Sequence, residues 1–281
     1  TGRLRALRLH GGSCFAVIED GSGKMQIYFK KDELGEQNYA FFTNSFDIGD
    51  FIQVEGGLFQ THRGEKTLLV KKLKMLTKAL LPLPEKWHGL TDTEIRFRQR
   101  YLDLLANPEI KQIFVTRAKI IQFIREYFIK AGFIEVDTPI LHTVASGAIA
   151  KPFKTFHNAL DMEMYLRIAP EIFLKELIIG GFEKIFEIAR CFRNEGIDYS
   201  HNPEFSQIEF YWAYQDYNGL MVFMEKFMKE IAETICGSVE VEYDGHKIDF
   251  TGPYPRVDFR EALIKEADID LDEHDASSLL K

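Results

Sequence analysis

The sequence predicts an all-β barrel followed by an α+β domain with an antiparallel sheet. Two β-hairpin patterns in the first part of the chain predict the barrel. Two longer strands set among helices, without regular βαβ alternation, predict the second part. The chain has 281 residues, of which 46% are hydrophobic, and this is enough for two domains that each bury a core.

Residues 1–78 form the first predicted domain, in which short strands are separated by turns. Glycine-containing turns are predicted at 20–23 and 63–65, and a polar segment at 31–44 predicts a helix between the two hairpins. The strands expected to pair across the turns are 14–19 with 25–30, and 51–58 with 67–76. Five short strands with a helix between the third and the fourth are typical of the OB-fold barrel.

Residues 79–108 are predicted to be a linker, and residues 109–281 the first part of the second domain. In the linker, Arg96, Arg98 and Arg100 alternate with other residue types. This pattern fits a solvent-exposed face and also fits a direct contact with nucleic acid. Both interpretations stay open at this point.

Hydrophobic periodicity predicts the helices and strands of the second domain. Apolar residues recur at three- and four-residue spacing through 109–130, and Gly132 suits the left-handed conformation that ends a helix. The other predicted elements are strands at 133–136, 165–168, 184–193 and 204–214, helices at 170–179 and 219–236, and a strand pair at 239–250. Neither a glycine-rich dinucleotide fingerprint nor a P-loop occurs, so neither nucleotide site is supported.

Charge and cysteine content limit the classes of function. The net charge of −8 argues against simple electrostatic binding of nucleic acid, although residues 1–78 have a net charge of +3. The three cysteines lack CxxC spacing, which predicts a reduced, cytoplasmic protein without structural zinc. No apolar run approaches the ~20 residues that a membrane helix needs. The chain begins at Thr1 without a signal-like segment, and we expect it to be a piece of a longer protein.

Several side chains that are suited to ligand binding fall on one face of the two long predicted strands. Because strand residues alternate between faces, Phe205, Gln207, Glu209 and Tyr211 share one face, and Arg193 ends the preceding strand. Arginine binds a phosphate or carboxylate bidentately, an aromatic ring stacks on a base, and a carboxylate binds an ammonium. The residues therefore suit a nucleotide and an amino acid held together, and a solvent-facing sheet edge with ordinary ion pairs is the alternative.

Two motifs give a family resemblance. Residues 192–196 (FRNEG) followed by 201–205 (HNPEF) resemble motif 2 of the class II aminoacyl-tRNA synthetases. Residues 132–139 (GFIEVDTP) look like motif 1, the dimer-interface helix and strand. An OB-fold module ahead of these motifs is similar to subclass IIb, which contains the lysine, aspartate and asparagine enzymes.

Within that subclass, the sequence resembles the lysine branch. Residues 82–90 (PLPEKWHGL) are similar to the linker of the lysine enzymes, and 169–171 (APE) matches them as well. The aspartate and asparagine enzymes usually have Gln at the position of Glu171. An aspartyl- or asparaginyl-tRNA synthetase, a non-catalytic tRNA-binding relative and a paralogue that lysylates a protein remain the alternatives.

The resemblance implies a class II catalytic fold, incomplete at its C-terminus, and ATP-dependent ligation of L-lysine to tRNA(Lys) through lysyl-adenylate. It also implies Mg²⁺ as a cofactor and a homodimer formed through motif 1. Carried over position by position, Arg193 and Glu195 would be catalytic. The implied ATP-binding residues are Arg193, Glu195, His201, Asn202 and Phe205, the lysine-binding residues are Gly147, Glu171, Arg193, Glu209 and Tyr211, and the anticodon-binding residues are Phe15, Gln26 and Glu65.

Some positions depart from the family pattern. Ser200 stands where many bacterial members have Arg, which weakens the expected contact with the outer phosphates, and Ser146 replaces a usual Gly. Motif 3, with a second phosphate-binding arginine and the Mg²⁺ ligands, is not recognisable after Cys236, where 258–281 looks like an acidic insertion. We therefore expect no metal ligands within this chain and no lysyl-adenylate formation by these residues alone.

Overall fold

The computed structural model describes residues 1–83, 90–198 and 200–273. It divides into two compact units, Thr1–Phe114 and Val115–Lys281, and each is described by itself. The predicted limits of barrel, linker and second domain stay predictions, and most of the lysine-branch motif at 82–90 lies outside the described residues. No helix in the described parts of the chain has the length and apolar character needed to cross a membrane.

Five strands form a closed barrel in the first unit, as the sequence predicts. The strands are β1 (Gly2–His10), β2 (Ser13–Glu19), β3 (Lys24–Lys30), β4 (Phe51–Gln60) and β5 (Lys66–Thr77). Their order is β1-β2-β3-β5-β4, and β4 pairs with β1 to close the barrel. The pairs are antiparallel except for β3 with β5. Both predicted hairpins, β2 with β3 and β4 with β5, are confirmed.

Helical segments between β3 and β4 complete the barrel core. The helix predicted over 31–44 is interrupted at Gly35, whose φ of +83° does not fit a helix. The resulting helices are α1 (Lys31–Leu34) and α2 (Glu36–Ser45). Phe42 of α2 packs on Phe29 of β3 with ring centroids 3.8 Å apart, and both rings are buried. Burying each such side chain stabilises the fold by roughly 1.5–3 kcal/mol.

The connecting segment contains two short helices, α3 (Thr93–Arg98) and α4 (Arg100–Ala106). Asp103 is fully buried there, and its carboxylate accepts hydrogen bonds from Arg96 Nε at 2.8 Å, from Asn107 Nδ2 at 2.7 Å and from Arg100. Burial raises the pKa of Asp103, but these hydrogen bonds outweigh it and hold the pKa below its usual value. Arg96 and Arg100 therefore have a structural role that neither interpretation from the sequence included.

The described residues of the second unit form three sheets and two long helices. The boundary between the units falls within α5 (Ile110–Lys130), most of which belongs to the second unit. The elements that follow are β6 (Ile134–Glu135), β7 (Leu141–His142), β8 (Lys154–His157), β9 (Met162–Leu166), α6 (Glu171–Ile179), β10 (Lys184–Phe192), β11 (Glu204–Trp212), α7 (Tyr217–Cys236), β12 (Glu240–Tyr243), β13 (His246–Asp249) and α8 (Phe259–Ala267). The sheets have the orders β11-β10-β6, β7-β9-β8 and β12-β13. The strand pair predicted at 239–250 is confirmed as β12 and β13. The acidic segment predicted at 258–281 includes α8, and 274–281 lie outside the described residues.

The central sheet contains the predicted antiparallel strands and one additional short parallel strand. β10 and β11 are antiparallel, as expected, but β6 pairs in parallel with β10. Parallel strands need a long connection, and here the chain between them forms a second sheet and α6 before it returns. The strand predicted at 165–168 lies earlier, as β9, and Arg167 and Ile168 follow its end.

An aromatic core covers one face of the central sheet. Phe128 of α5, Phe186 of β10 and Phe227 of α7 are buried together. Ile208, Phe210 and Trp212 of β11 pack against this cluster, so the sequence assigned the apolar face of β11 correctly. The opposite face of β11 is left for polar residues.

Candidate active site and nucleic-acid interface

The polar face of β10 and β11 holds the residues that the sequence places together. Phe205, Gln207, Glu209 and Tyr211 alternate with the core-facing residues of β11, and all four are partly buried. Glu187 of β10 lies directly opposite Glu209, and directly opposed residues point to the same face. The face therefore combines an aromatic ring, an amide, a phenol and two carboxylates.

Arg193 follows the end of β10 and lies beside this face. Its amide donates a hydrogen bond to the carbonyl oxygen of Pro203 at 2.9 Å, and its guanidinium carbon lies 5.1 Å from the centre of the Phe205 ring. Its Nε is buried and has no hydrogen-bond partner among the described residues. Leaving a buried donor unpaired costs about 1–3 kcal/mol, and an anionic oxygen would satisfy this one. The arginine and the ring thus fit a phosphate and a base.

Glu209 is the acceptor in a short hydrogen-bond chain along β11. It accepts from the Tyr211 hydroxyl at 2.8 Å and from Gln207 Nε2 at 3.0 Å. Burial raises the pKa of Glu209 above its usual value, and the hydrogen bond from Tyr211 opposes this rise while the negative charge of Glu171 adds to it. Burial also raises the pKa of Tyr211, so its hydroxyl keeps its proton and donates.

Glu171 lies near Glu209, and Gly147 lies against Glu171. Glu171 is the first residue of α6, forms an ion pair with Lys175 one turn later, and raises the pKa of Glu209. Gly147 has a φ of +92°, and a Cβ there would lie 3.2 Å from Ala169 Cβ and 3.4 Å from Glu171 Cβ. Only glycine fits this approach without strain. The structure therefore brings four of the predicted lysine-binding residues together, namely Gly147, Glu171, Glu209 and Tyr211.

Glu195 lies in the loop after β10, next to a second loop. Its carboxylate accepts a hydrogen bond from the amide of Lys151 at 3.4 Å, and the amide of Asn194 donates to the Lys151 carbonyl at 2.8 Å. Glu195 is exposed, so its carboxylate is accessible to a ligand.

His201 and Asn202 are not brought to the sheet face. Both are exposed, and the His201 ring lies 2.8 Å from the carboxylate of Asp198 and 3.0 Å from Ser200 Oγ. Hydrogen bonds from the Ser200 amide and from the His201 ring lower the pKa of Asp198 to about 2. The predicted contact of His201 with the outer phosphates of ATP stays a prediction.

Sequence reasoning missed three residues that the structure places at the site: Lys151, Lys175 and Arg167. The spacing of Glu171 and Lys175, four residues apart on a predicted helix, would have indicated their ion pair. Arg167 lies between Leu166 and Ile168, and a charged residue in such an apolar run indicates a buried partner. Lys151 contacts Glu195 through its backbone, which no side-chain pattern could indicate.

The barrel presents its predicted anticodon-binding residues on the outer face. Phe15 alternates with buried β2 residues, and its ring lies 4.4 Å from the ring of Tyr28 on β3. Gln26 Nε2 donates to Thr67 Oγ1 at 2.9 Å. Glu65 is exposed in the turn before β5. Phe15 points away from the barrel interior, and aromatic rings on an outer barrel face suit stacking on bases.

The described residues contain no group of three or more His, Cys, Asp or Glu side chains that could hold a metal ion. Among residues 1–83, 90–198 and 200–273, therefore, no side-chain group fits a Mg²⁺ site.

Comparisons with known proteins agree with the two-part architecture. Residues 92–280 match the model of the family described as tRNA synthetases class II (D, K and N). Residues 1–76 match that of the OB-fold nucleic acid binding domain.

Curated relatives are lysine–tRNA ligases. Those of Campylobacter jejuni and Moorella thermoacetica are each 49% identical to this chain, over 271 and 272 residues. The alignments cover 96% and 97% of this chain but 54% and 55% of the relatives. The ligase of Carboxydothermus hydrogenoformans is also 49% identical, over 96% of this chain and 55% of its own length. The chain thus spans about half the length of the curated relatives it matches.

Proposed function

This chain belongs to the class II tRNA synthetases for aspartate, lysine and asparagine, and from that premise we propose that it activates L-lysine with ATP and transfers it to tRNA(Lys). The observation that supports the proposal most is the buried Nε of Arg193, which has no partner among the described residues and lies beside the Phe205 ring. The names of the relatives indicate lysine as the amino acid.

Arg193 and Phe205 hold the nucleotide in this proposal. The ring stacks on adenine, and the guanidinium bridges the α-phosphate and the carboxylate of lysine while charge moves from one to the other. Glu195 accepts hydrogen bonds from the adenine amino group, and His201 and Asn202 contact the phosphates. Catalysis then comes from positioning and charge stabilisation, and no general base is needed.

The pocket distinguishes lysine by charge. Lysine has two ammonium groups, and the pocket offers two carboxylates. Glu171, with the loop backbone at Gly147, binds the α-ammonium, whereas Glu209 and Tyr211 bind the ε-ammonium. Aspartate would place a second carboxylate against Glu209, and asparagine would leave that carboxylate without a cation, so both lose binding energy.

The barrel binds the anticodon of the tRNA in this proposal. Phe15 stacks on a base, and Gln26 and Glu65 bind base edges. An amide and a carboxylate supply both donor and acceptor groups, which suits hydrogen bonding to uridine. Base–aromatic stacking contributes roughly 1–3 kcal/mol per base.

A homodimer formed through motif 1 belongs to the same proposal. Ile129 at the end of α5 and Ile134 of β6 are each 53% exposed, and both lie at or near the motif. Exposed apolar residues at an interface motif gain stability when a second copy covers them. Sedimentation of the complete gene product tests this part.

The decisive experiment is ATP–pyrophosphate exchange by the complete gene product with lysine, aspartate and asparagine supplied separately. We expect exchange with lysine and a far weaker signal with the other two. A preference for aspartate or asparagine would reassign the substrate within the family. Absence of exchange with all three, together with intact tRNA binding, would favour a non-catalytic tRNA-binding relative instead.

A further inference from the structure

Arg167, Glu187 and Thr138 form a buried polar cluster that the reaction above does not use. The side chains of Arg167 and Glu187 are each 3% exposed, and Nη1 of the arginine lies 2.6 Å from Oε1 of the glutamate. The Thr138 hydroxyl donates to Oε2 of Glu187 at 2.7 Å. Both carboxylate oxygens of Glu187 are therefore bound by protein groups.

The cluster adjoins the lysine pocket because Glu187 lies directly opposite Glu209. Like charges directly opposite each other destabilise a strand pair, and the guanidinium of Arg167 compensates this repulsion. The titratable groups that interact with Glu209 include Glu187 and Cys191 of β10, Tyr211 of its own strand, and Glu171 and Lys175 of α6. The net charge around Glu209 thus depends on whether Glu187 is neutralised.

Arg167 also fixes the end of β10. Its Nε donates to the carbonyl oxygen of Arg190 at 2.8 Å, and its own carbonyl oxygen accepts from the amide of Phe192 at 2.9 Å. Its Nη1 donates to the carbonyl oxygen of Thr138 at 2.9 Å. One side chain therefore joins the segment after β6 to the residues immediately before Arg193.

We infer that Arg167 is a positioning residue for the lysine pocket, which keeps Glu209 free to bind the ε-ammonium by neutralising Glu187 and which holds the strand end that presents Arg193. This inference rests on the proposed function, because it assumes that Glu209 binds lysine. A buried ion pair is often no more stabilising than apolar residues of the same size, so stability alone gives weak grounds for burying these charges.

The charges of Arg167 and Glu187 act on the pKa of Glu209 in opposite directions. Without the cation of Arg167, the negative charge of Glu187 faces Glu209 without compensation. Glu209 then takes up a proton more readily, which weakens its binding of an ammonium. Without the negative charge of Glu187, the cation remains and favours the ionised form of Glu209. When both charges are removed, Glu209 again lies beside a pair of side chains without net charge, as it does in the wild type.

The test uses the complete gene product and the pH dependence of kcat/KM for lysine in pyrophosphate exchange. Arg167→Met should move the acid limb of the profile to higher pH, and Glu187→Gln, which is nearly isosteric, should move it to lower pH. With a shift of about one pKa unit, Arg167→Met lowers kcat/KM for lysine about tenfold at pH values within the acid limb, while the KM for ATP stays within about threefold. The double variant Arg167→Met/Glu187→Gln should recover most of the loss.

Arg190→Met is the matched control, because this exposed arginine lies on the same strand and pairs with Glu204. It should leave the acid limb unchanged. Acid limbs that move in the same direction in both single variants, or equal losses for lysine and ATP, would mean that the cluster is merely structural and would overturn the inference. Wild-type protein without lysine-dependent exchange would instead refute the proposed function.

Discussion

The guanidinium carbon of Arg193 lies 5.1 Å from the centre of the Phe205 ring, and Nε of the same arginine is buried without a partner among the described residues. The ring restricts the planar group while at least one donor stays unused. Such an arrangement is costly in an empty site and favourable once an anion binds, because the donor is already placed and loses little freedom. It is the arrangement expected of a residue that binds phosphate.

Arg193→Lys should abolish most of the lysine-dependent pyrophosphate exchange. A lysine ammonium cannot reproduce the planar fork that bridges a phosphate and a carboxylate, and loss of a preorganised charge-stabilising donor costs roughly 100-fold or more in kcat. The thermal unfolding midpoint of the complete gene product should not fall, since the substituted side chain leaves one unsatisfied buried donor fewer. Arg190→Lys on the exposed side of the strand is the control, and a similar loss in that variant would contradict the assignment.

Glu171→Gln should weaken the binding of lysine far more than the binding of ATP. The carboxylate is near Glu209 and is positioned for an ammonium, whereas no contact with the nucleotide is assigned to it. We expect the KM for lysine to rise about tenfold or more, the loss typical of one charged hydrogen bond. Glu176→Gln, an exposed position on the same helix, is the matched control. Equal losses for lysine and ATP would remove Glu171 from the lysine pocket.

Phe15→Ala should weaken tRNA binding and leave lysine-dependent pyrophosphate exchange unchanged. The ring lies on the outer face of the barrel against Tyr28, and loss of one stacked base costs roughly 1–3 kcal/mol. The tRNA concentration needed for half-maximal charging should rise accordingly. Phe41→Ala, a ring that is 52% exposed on α2, serves as the control. A collapse of exchange in the Phe15 variant would show that the ring supports the fold.

Asp103→Asn should destabilise the first unit at neutral pH. The carboxylate is buried and bound by Arg96, Arg100 and Asn107, and loss of charged hydrogen bonds costs about 2 kcal/mol. Because the pKa of Asp103 is lowered in the fold, its contribution is present above the ordinary value of about 4 and disappears as pH falls through the lowered value. The free energies of unfolding of the wild type and the variant, measured with urea, should therefore converge as the pH falls.

The control for that comparison is Glu94→Gln, which removes the exposed partner of Arg98. Exposed pairs of this kind contribute well under 1 kcal/mol, so this variant should unfold like the wild type. A constant difference between the Asp103 variant and the wild type at every pH would mean that packing, and not charge, explains the loss.

Period-two alternation and short motifs were sufficient to predict the site strands. They placed Phe205, Gln207, Glu209 and Tyr211 on one face and the core residues on the other, as the structure confirms. The parallel pairing of β6 was missed because a two-residue strand has no detectable period and its partner lies about fifty residues later. The hydrogen bond from Arg167 to Glu187 was missed for a related reason. Alternation within one strand does not indicate which side chain of another segment contacts its residues.

The last prediction concerns Glu209, whose pKa is raised in the folded protein by burial, with a further contribution from Glu171. A carboxyl group with a raised pKa favours the fold only while it is protonated, so its contribution is present at low pH and is lost as pH rises through the raised value. Glu209→Gln removes this penalty and should raise the thermal unfolding midpoint at pH 8. The difference should shrink as pH falls towards 4, near the ordinary pKa of a glutamate.

The same variant should lose lysine binding, because the amide has no charge to attract the ε-ammonium. In the wild type, lysine affinity should fall as pH falls through the raised pKa, since the protonated carboxyl binds an ammonium poorly. Glu204→Gln, an exposed glutamate at the start of the same strand, is the control and should change neither quantity. A Glu209 variant that is less stable than the wild type at pH 8, or that binds lysine equally well, would contradict the proposal that this carboxylate is kept at a cost in stability in order to bind substrate.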